Sequence, residues 1–404
     1  MSADLFDSHH WMRRALERAH DALYRSDPNP RVGCVLVKDG AVIGEGATQA
    51  PGGPHAEIEA LADARARGLD PRGATAWVTL EPCSHFGRTP PCVDAVIAAG
   101  VTRVVAAMQD PNPLVAGRGF ELLRAAGIAV VVGPMAHEAR ELNIGFVTRM
   151  TTGQPWVRMK LAASLDAQSA LGNGQSQWIT SEAARADGHA WRARASALLT
   201  GIGTVRLDDP RLDVRQFDAT RDATRDAAGD APSGTAQDTP RQPLRLPLRQ
   251  PLRVLVDSGF DVPVSARIVR NVVEGKRLLV VGAVADPNKQ GALADAGCET
   301  LVLPNSEGKV DLVTLIEELG RRDVNELHVE AGGKLNGSLI RAGCVDELLV
   351  YVAPCLLGPG QPMIALPAID DLSRRVALTY HDFARVGEEL RIRARFPSSS
   401  TTGH

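Results

Sequence analysis

Residues 74–100 read ATAWVTLEPCSHFGRTPPCVDAVIAAG. Residues 74–81 are apolar and rich in β-formers, and residues 92–100 suit a helix closed by Gly100. Between them, the stretch from Glu81 to Cys92 packs two cysteines, one histidine and three prolines into a loop. The order strand, loop, helix recurs downstream. TRVVAAM (102–108) predicts a strand, FELLRAAG (120–127) a helix and IAVVVG (128–133) a strand. Such alternation implies parallel strands joined by helical crossovers, a layered α/β sheet. A helix from Ala136 to about Val147 closes the unit. Upstream, VGCVLVKDG and AVIGEGAT (32–48) are short apolar runs about a Lys-Asp-Gly turn, which predicts a β-hairpin. Residues 9–24, preceded by Ser8 as cap, and residues 55–67, ended by Gly68, carry helix signals.

A second α/β series begins at Pro155-Trp156. WVRMKLAASLDA, ALLTGIGT, LRVLVDS, KRLLVVG, ETLVLP, ELHVEA and ELLVYVAP predict strands, interleaved with helical stretches such as DLVTLIEELGRR. The polar turn TTGQP (151–155) separates two expected domains, 1–150 and 155–396. From about 216 to 250 the alanine, charge and Pro-Leu-Arg steps lack any core-forming period, which predicts a disordered surface insertion. The tail PSSSTTGH reads the same way.

A chain of 404 residues with 44% apolar content has material for two cores. The net charge of −3 offers no footprint for nucleic acid or an anionic membrane. Residues 1–20 contain no apolar core of a signal peptide, and no apolar run approaches the length of a membrane span. The expected compartment is therefore the cytoplasm. There the six cysteines are better read as core residues or metal ligands than as disulfides.

Three side chains of the opening loop, Cys83, His85 and Cys92, are metal-ligand types. Upstream, GGPHAEIEAL (52–61) places His55 and Glu57 where a Gly/Pro loop enters a helix. Alone, His-x-Glu is common and uninformative. Joined to Glu81-Pro82-Cys83 and Pro91-Cys92, it offers one imidazole and two thiolates, three of the four tetrahedral positions zinc prefers. An open fourth position separates a catalytic site from a closed structural one. Zinc lowers the pKa of water from about 15.7 to roughly 7, and Glu57 is placed to carry the released proton to the leaving amine. A His-x-Glu element, a Pro-Cys element and a non-ligand Glu are the signature of zinc deaminases. The plainer alternative makes both cysteines small buried apolar residues.

Nucleoside deaminases space their cysteines two residues apart, whereas eight residues, SHFGRTPP, lie between Cys83 and Cys92. PCSHFGRTPPC, with DPNPRVGC (27–34) and DPNPLVAGRG (110–119), resembles the deaminase half of the bifunctional riboflavin-biosynthesis deaminase/reductase family. The resemblance covers essentially the whole first domain and implies a cytidine-deaminase-like three-layer fold. It implies His55, Cys83 and Cys92 as zinc ligands and Glu57 as proton shuttle. His85, in the loop with Arg88, and Asn29 would then meet a phosphoribosylamino-pyrimidine substrate.

In the second domain, LHVEAGGKLNGSLIRAG (327–343) runs from a strand through Gly332 and Gly333 into a helix, a turn that presents N–H groups to an anion. It is not the dinucleotide fingerprint, and TGIGTVR (200–206) does not complete one either. MKLAASLDA, SQWIT, WRARASALLTGIGTVRLDDPRL, VEAGGKLNGSL and VDELLVYVAPCLLG resemble the reductase half of the same family, over about 155–390. That implies a dihydrofolate-reductase-like α/β fold and NADPH as cofactor. The nicotinamide nucleotide would meet Ala162, Trp178, Thr204, Asp208 and Ser258, with Gly332, Gly333, Lys334, Leu335, Asn336, Gly337 and Ser338 about its phosphates. Substrate would meet Lys160, Ser176, Arg192, Leu212, Arg215 and Glu330. Where the family has Asp-Gly-Lys/Arg, this chain has Asp166-Ala167-Gln168.

The expected function is thus a cytoplasmic, homo-oligomeric enzyme that deaminates, then reduces, a phosphoribosylamino-pyrimidine, using zinc and NADPH. An alternative is a nucleoside or RNA deaminase fused to a nucleotide-binding domain. A zinc-stabilised binding module is a third.

Overall fold

The computed structural model describes residues 3–86, 90–113, 115–215, 249–272 and 275–397. The expected insertion (all but 249–250) and the tail after Pro397 lie outside them, as does Arg88. The chain divides into two compact units, Met1–Gly153 and Gln154–His404.

In the first unit, β1 (Gly33–Lys38), β2 (Ala41–Ala47), β3 (Thr75–Val78), β4 (Arg103–Ala106) and β5 (Ala129–Val132) form one sheet in the order β2-β1-β3-β4-β5. The hairpin turns at Asp39-Gly40, both left-handed (φ 52° and 73°), which matches the strand twist. Alternate residues face opposite layers. Cys34, Leu36, Ala76, Val78, Val104 and Ala106 pack with α2 (Ala56–Ala66), α3 (Cys92–Ala98) and α4 (Arg118–Ala125). Val35, Val37, Trp77 and Val105 pack with α1 (Ala3–His20) and α5 (Ala136–Leu142). The result is the expected three layers.

Two boundaries differ from the sequence reading. Helix α1 begins at Ala3, so Ser8 lies inside it rather than capping it. The closing helix is broken into α5 and α6 (Ile144–Thr152) at Asn143. Asn143 is buried, and its amide accepts from the Arg31 N–H (2.7 Å) and donates to the Arg31 carbonyl (2.9 Å). That pairing with the backbone entering β1 fixes the break.

The second unit holds a nine-stranded sheet. Its strands are β6 (Trp156–Ser164), β8 (Ala197–Gly201), β9 (Leu252–Val256), β10 (Leu278–Gly282), β11 (Glu299–Val302), β12 (Glu326–Val329), β13 (Glu347–Ala353), β15 (Thr379–Val386) and β16 (Glu389–Arg395). The order is β11-β10-β9-β8-β12-β6-β13-β16-β15, parallel as far as β13 and antiparallel beyond. β7 (Gln168–Leu171) and β14 (Gly360–Pro362) pair separately. Crossovers carry α7 (Glu182–Arg194), α8 (Ile202–Asp208), α9 (Arg267–Arg270), α10 (Pro287–Asp295), α11 (Leu312–Arg321) and α12 (Gly333–Arg341). The central strands are buried apolar runs, as parallel strands covered on both faces must be.

One face breaks that rule. Arg158, Glu326, Glu347 and Arg391 point from neighbouring strands into the interior, each no more than 1% exposed. Arg158 bridges Glu347 (2.6 Å) and Glu326 (2.8 Å), and Arg393 also holds Glu347 (3.0 Å). The Trp191 ring from α7 covers them, 4.4 Å from the Arg158 guanidinium. Charges taken from water survive only when mutually paired, as here.

α2 reaches β2 at backbone contact. A Cβ on Gly46 would stand 2.3 Å from the Ala56 carbonyl, and one on Gly44 2.3 Å from that of Ala60. Gly46→Ala should therefore push α2 off the sheet and destabilise the protein by about 1–3 kcal/mol. Differential scanning calorimetry will register it as a lower unfolding temperature.

Candidate active sites

The first site assembles at the ends of α2, β3 and α3. His55 is the N-cap of α2, Cys83 follows β3, and Cys92 is the first residue of α3. His55 Nδ1 lies 3.5 Å from Cys83 Sγ and 3.3 Å from Cys92 Sγ, and the three donor atoms fall within 4.8 Å of one another. The Cys92 amide donates to Cys83 Sγ at 3.3 Å. His85, a ligand type in the same loop, is exposed and outside this cluster.

The electrostatics call for a cation. The Cys92 side chain, His55 and the Cys92 amide hold the Cys83 thiol down at about 4 against burial. The hydrogen bond to Cys83, burial and the Glu57 carboxylate push the Cys92 thiol up. Glu57, on the first turn of α2 and 5% exposed, is raised to about 7 by burial and then by Cys83. Two thiols and a carboxylate thus crowd one imidazole in a buried space. A divalent, thiophilic ion resolves that repulsion, and the donor set fits zinc.

Of the other expected residues of this unit, Asn29 lies in the loop before β1, its backbone N–H donating to the Ser26 carbonyl at 2.8 Å. Sequence reasoning passed over Asp110. Burial raises its carboxyl, which also feels Glu81, His85 and Cys83. Its only sequence signal was its place at the head of DPNPLVAGRG.

The second site lies where β6, β8 and β12 end, beside α7. The Arg192 guanidinium grips Glu330 through Nε–Oε1 and through Nη2–Oε2 at 2.7 Å. Burial alone would raise the Glu330 carboxyl, but Arg192, His328 and Lys160 hold it well below the carboxylate range. Lys160 on β6 is lowered by burial, opposed by Glu330 and reinforced by Arg192. These three expected residues therefore form one cluster. Arg192 spends its fork on Glu330, and Arg215 is the exposed cation near it. Arg215 Nη2 reaches His189 Nε2 at 3.0 Å. His189, absent from the sequence reading, is lowered to about 4 by burial, Arg192 and Arg215, so it accepts from Arg215 as a neutral ring. Its signal was its spacing, three residues before Arg192 on α7. Leu212 is buried, and Ser176 is half-buried in the loop before Trp178.

The cofactor candidates separate into two groups. Ala162 lies on β6, Thr204 and Asp208 on α8, Ser258 just after β9, and Trp178 is 70% exposed under the Arg185 guanidinium (4.3 Å). Gly332 and Lys334 are exposed at the start of α12, and a Cβ on Gly332 would meet only Thr204 Oγ1, at 4.0 Å. That leaves an open cradle between the α8 and α12 entries that suits a dinucleotide phosphate. Leu335 packs on the core beneath. Asn336, Gly337, Gly333 and Ser338 serve packing here. Asn336 donates to the Ala331 and Met363 carbonyls (both 3.0 Å), and Ser338 donates to Lys334. A Cβ on Gly337 would stand 2.0 Å from the Ala365 carbonyl, and one on Gly333 2.4 Å from that of Pro362.

Asp166-Ala167-Gln168 keeps a tight turn. The Asp166 carboxylate accepts from Gly358 N–H (2.8 Å), and Ala167 takes a left-handed φ of 61°. Ala167→Gly should stabilise the protein by about 0.5–1 kcal/mol, read as a higher chemical-denaturation midpoint.

Comparison with known proteins gives one answer for both units. Residues 155–391 match the family model of the RibD C-terminal domain, and residues 7–108 that of the cytidine and deoxycytidylate deaminase zinc-binding region. The chain is 44% identical over 382 residues to the riboflavin biosynthesis protein RibD of Escherichia coli, covering 94% of this chain and 97% of the relative. It superposes on Acinetobacter baumannii RibD with a TM-score of 0.82 at 37% identity, covering 98% of this chain and all (100%) of the other. The Thermotoga maritima diaminohydroxyphosphoribosylaminopyrimidine deaminase/5-amino-6-(5-phosphoribosylamino)uracil reductase matches at TM-score 0.80 and 30% identity, covering 98% and 100%.

Proposed function

The chain belongs to the RibD family of riboflavin-biosynthesis proteins, and from that premise we propose which of its residues carry the two reactions. It is a bifunctional enzyme of riboflavin biosynthesis, a zinc-dependent deaminase joined to an NADPH-dependent reductase. The deaminase is read as residues 1–150 and the reductase as 155–396.

The deaminase converts 2,5-diamino-6-(5-phosphoribosylamino)pyrimidin-4-one and water to the corresponding uracil and ammonia. His55, Cys83 and Cys92 would hold the metal, and the chemistry supplied there is activation of a water near neutral pH by zinc. The convergence of those donors within 4.8 Å, with Glu57 buried on the first turn of the helix that His55 caps, is the observation that carries this reading. Glu57 takes the water's proton, delivers it to the ring nitrogen, and later passes one to the departing amine. Its raised affinity for protons suits both directions of transfer. His85 and Asn29 are read as substrate contacts.

In the reductase, the open-chain ribosyl carbon gains a hydride and its nitrogen retains the proton, giving ribityl; NADPH supplies that hydride. Lys160 and Glu330 are placed to polarise the sugar as its ring opens, with Arg192 fixing Glu330. Arg215, Ser176 and Leu212 complete the substrate contacts. Ala162, Trp178, Thr204, Asp208, Ser258 and the Gly332–Ser338 turn receive the cofactor.

Among the described residues no helix is long and apolar enough to cross a membrane. A cytoplasmic, homo-oligomeric enzyme that needs neither nucleic acid nor membrane completes the reading, consistent with the net charge of −3.

Ammonia release and NADPH oxidation, assayed with the two pyrimidines in turn, test it directly. Glu57→Gln should lower ammonia release by about 10²–10⁴-fold with zinc retained and NADPH oxidation intact. Turnover near the wild-type rate in that variant would remove Glu57 from the mechanism.

A further inference from the structure

Glu81 begins the loop quoted at the outset, and no ligand or shuttle role falls to it. Yet its side chain is buried (5% exposed) and receives an unusual set of donors. Oε1 accepts from the Gly119 N–H (2.8 Å) and the Phe120 N–H (3.3 Å). Oε2 accepts from the Asp110 N–H (3.1 Å) and the Gly117 N–H (3.0 Å). Both oxygens are thus filled by backbone donors of one segment, and among the described residues no arginine or lysine contributes. The Glu81 N–H itself donates to the Met108 carbonyl at 3.0 Å. Gly119 lies against the same turn, since a Cβ there would stand 2.2 Å from the Pro82 carbonyl.

This pattern does more than cap α4. The Oε1 pair satisfies the first turn of that helix, which a neutral side chain could do. The Oε2 pair reaches further back, to Gly117 and to Asp110 at the head of the segment. The close approach of Gly119 to the Pro82 carbonyl sets this segment directly against the residue that precedes Cys83. From Glu81 to the ligand Cys83 is two residues, and the Cys83 carbonyl is in turn pinned by the Val93 N–H at 3.2 Å. A single buried carboxylate therefore ties the strand end that bears a metal ligand to the segment beside it.

We propose that Glu81 is a positioning residue of the deaminase: by holding Asp110 and Gly117 it sets the wall of the pocket beside Cys83, against which the pyrimidine is bound. The inference rests on the deaminase reading of His55, Cys83, Cys92 and Glu57, and it concerns substrate binding rather than the chemical step.

Glu81→Gln is the discriminating variant because it preserves volume and one acceptor. The amide oxygen can keep the Gly119–Phe120 pair, while the amide nitrogen faces the Asp110 and Gly117 N–H groups, donor against donor. In the full-length chain this should leave zinc bound and NADPH oxidation unchanged, and raise KM for deamination about tenfold or more with a smaller change in kcat. Gly117→Ala approaches the same wall from its other end, because Gly117 sits at φ 82°, and should shift KM the same way. It carries the test if Glu81→Gln does not fold. A KM within about twofold of wild type in the folded variants, a fall confined to kcat, or loss of zinc would each overturn the inference. Wild-type ammonia release, measured alongside, reports on the deaminase reading separately: its absence removes both, whereas normal wild-type turnover with an unmoved KM removes only the role of Glu81.

Discussion

The deaminase depends on how closely a helix can lie on a strand. His55 and Glu57 belong to the entry of α2, while the thiols come from the loop after β3 and from the first residue of α3. The imidazole reaches both sulfurs only because Gly44 and Gly46 let α2 rest on β2 without intervening side chains. Given that seat, the remainder follows from burial. Glu57 cannot escape to water, so its proton affinity rises, and the ionised Cys83 raises it further. Catalytic chemistry here is a consequence of packing, with two glycines as the enabling residues.

The reductase rests on a different constraint, the pairing of charge on one sheet face. From the strand starts to the strand ends that face carries Glu326, Arg158, Glu347 and His328, then Lys160 and Glu330. The first set is closed: each carboxylate has arginines and Trp191 lies over them. The second set is open at the strand ends, where ligands of parallel sheets bind. Removing one member of the closed set would strand a buried charge, at a cost of about 3–5 kcal/mol. That penalty explains why so polar an interior can still be rigid enough to present Glu330 and Lys160 at a fixed spacing.

The same feature decided what was legible in the sequence. The main-sheet strands as far as β13 were visible as apolar runs with glycine stops, although the expected strand ALLTGIGT (197–204) overran β8 into α8 and the β7–β14 pair was missed. The antiparallel β15–β16 pair went unseen, because its inward positions are Glu389, Arg391 and Arg393 and its exposed ones include Tyr380 and Phe383. Hydrophobic periodicity inverts where the buried face is ionic. Likewise, the metal ligands and Glu57 were readable because their chemistry demands those residue types. His189 and Glu81 were not, since each acts on a neighbour rather than on a ligand: one on the Arg215 guanidinium, the other on four backbone N–H groups. The hinge at Asn143 was hidden for the same reason, its partner being the distant backbone of Arg31.

Both sites leave one sign of charge in excess, and the sign is opposite. Around His55 the acidic groups are Cys83, Cys92 and Glu57, with one imidazole to meet them. Around Glu330 the cations are Lys160, Arg192 and Arg215; Arg192 largely consumes the Glu330 carboxylate, and the nearby Asp213 carboxylate pairs with Lys276 at 3.2 Å. An excess held in a buried or half-buried space costs free energy until a counter-charge arrives. In the first unit that counter-charge is a divalent metal ion. In the second, on the substrate contacts proposed above, it would be the phosphate of a sugar, and the ring of His189 beside Arg215 holds one guanidinium in place without cancelling its charge. Each pocket is thereby tuned to its ligand by what it leaves unpaired.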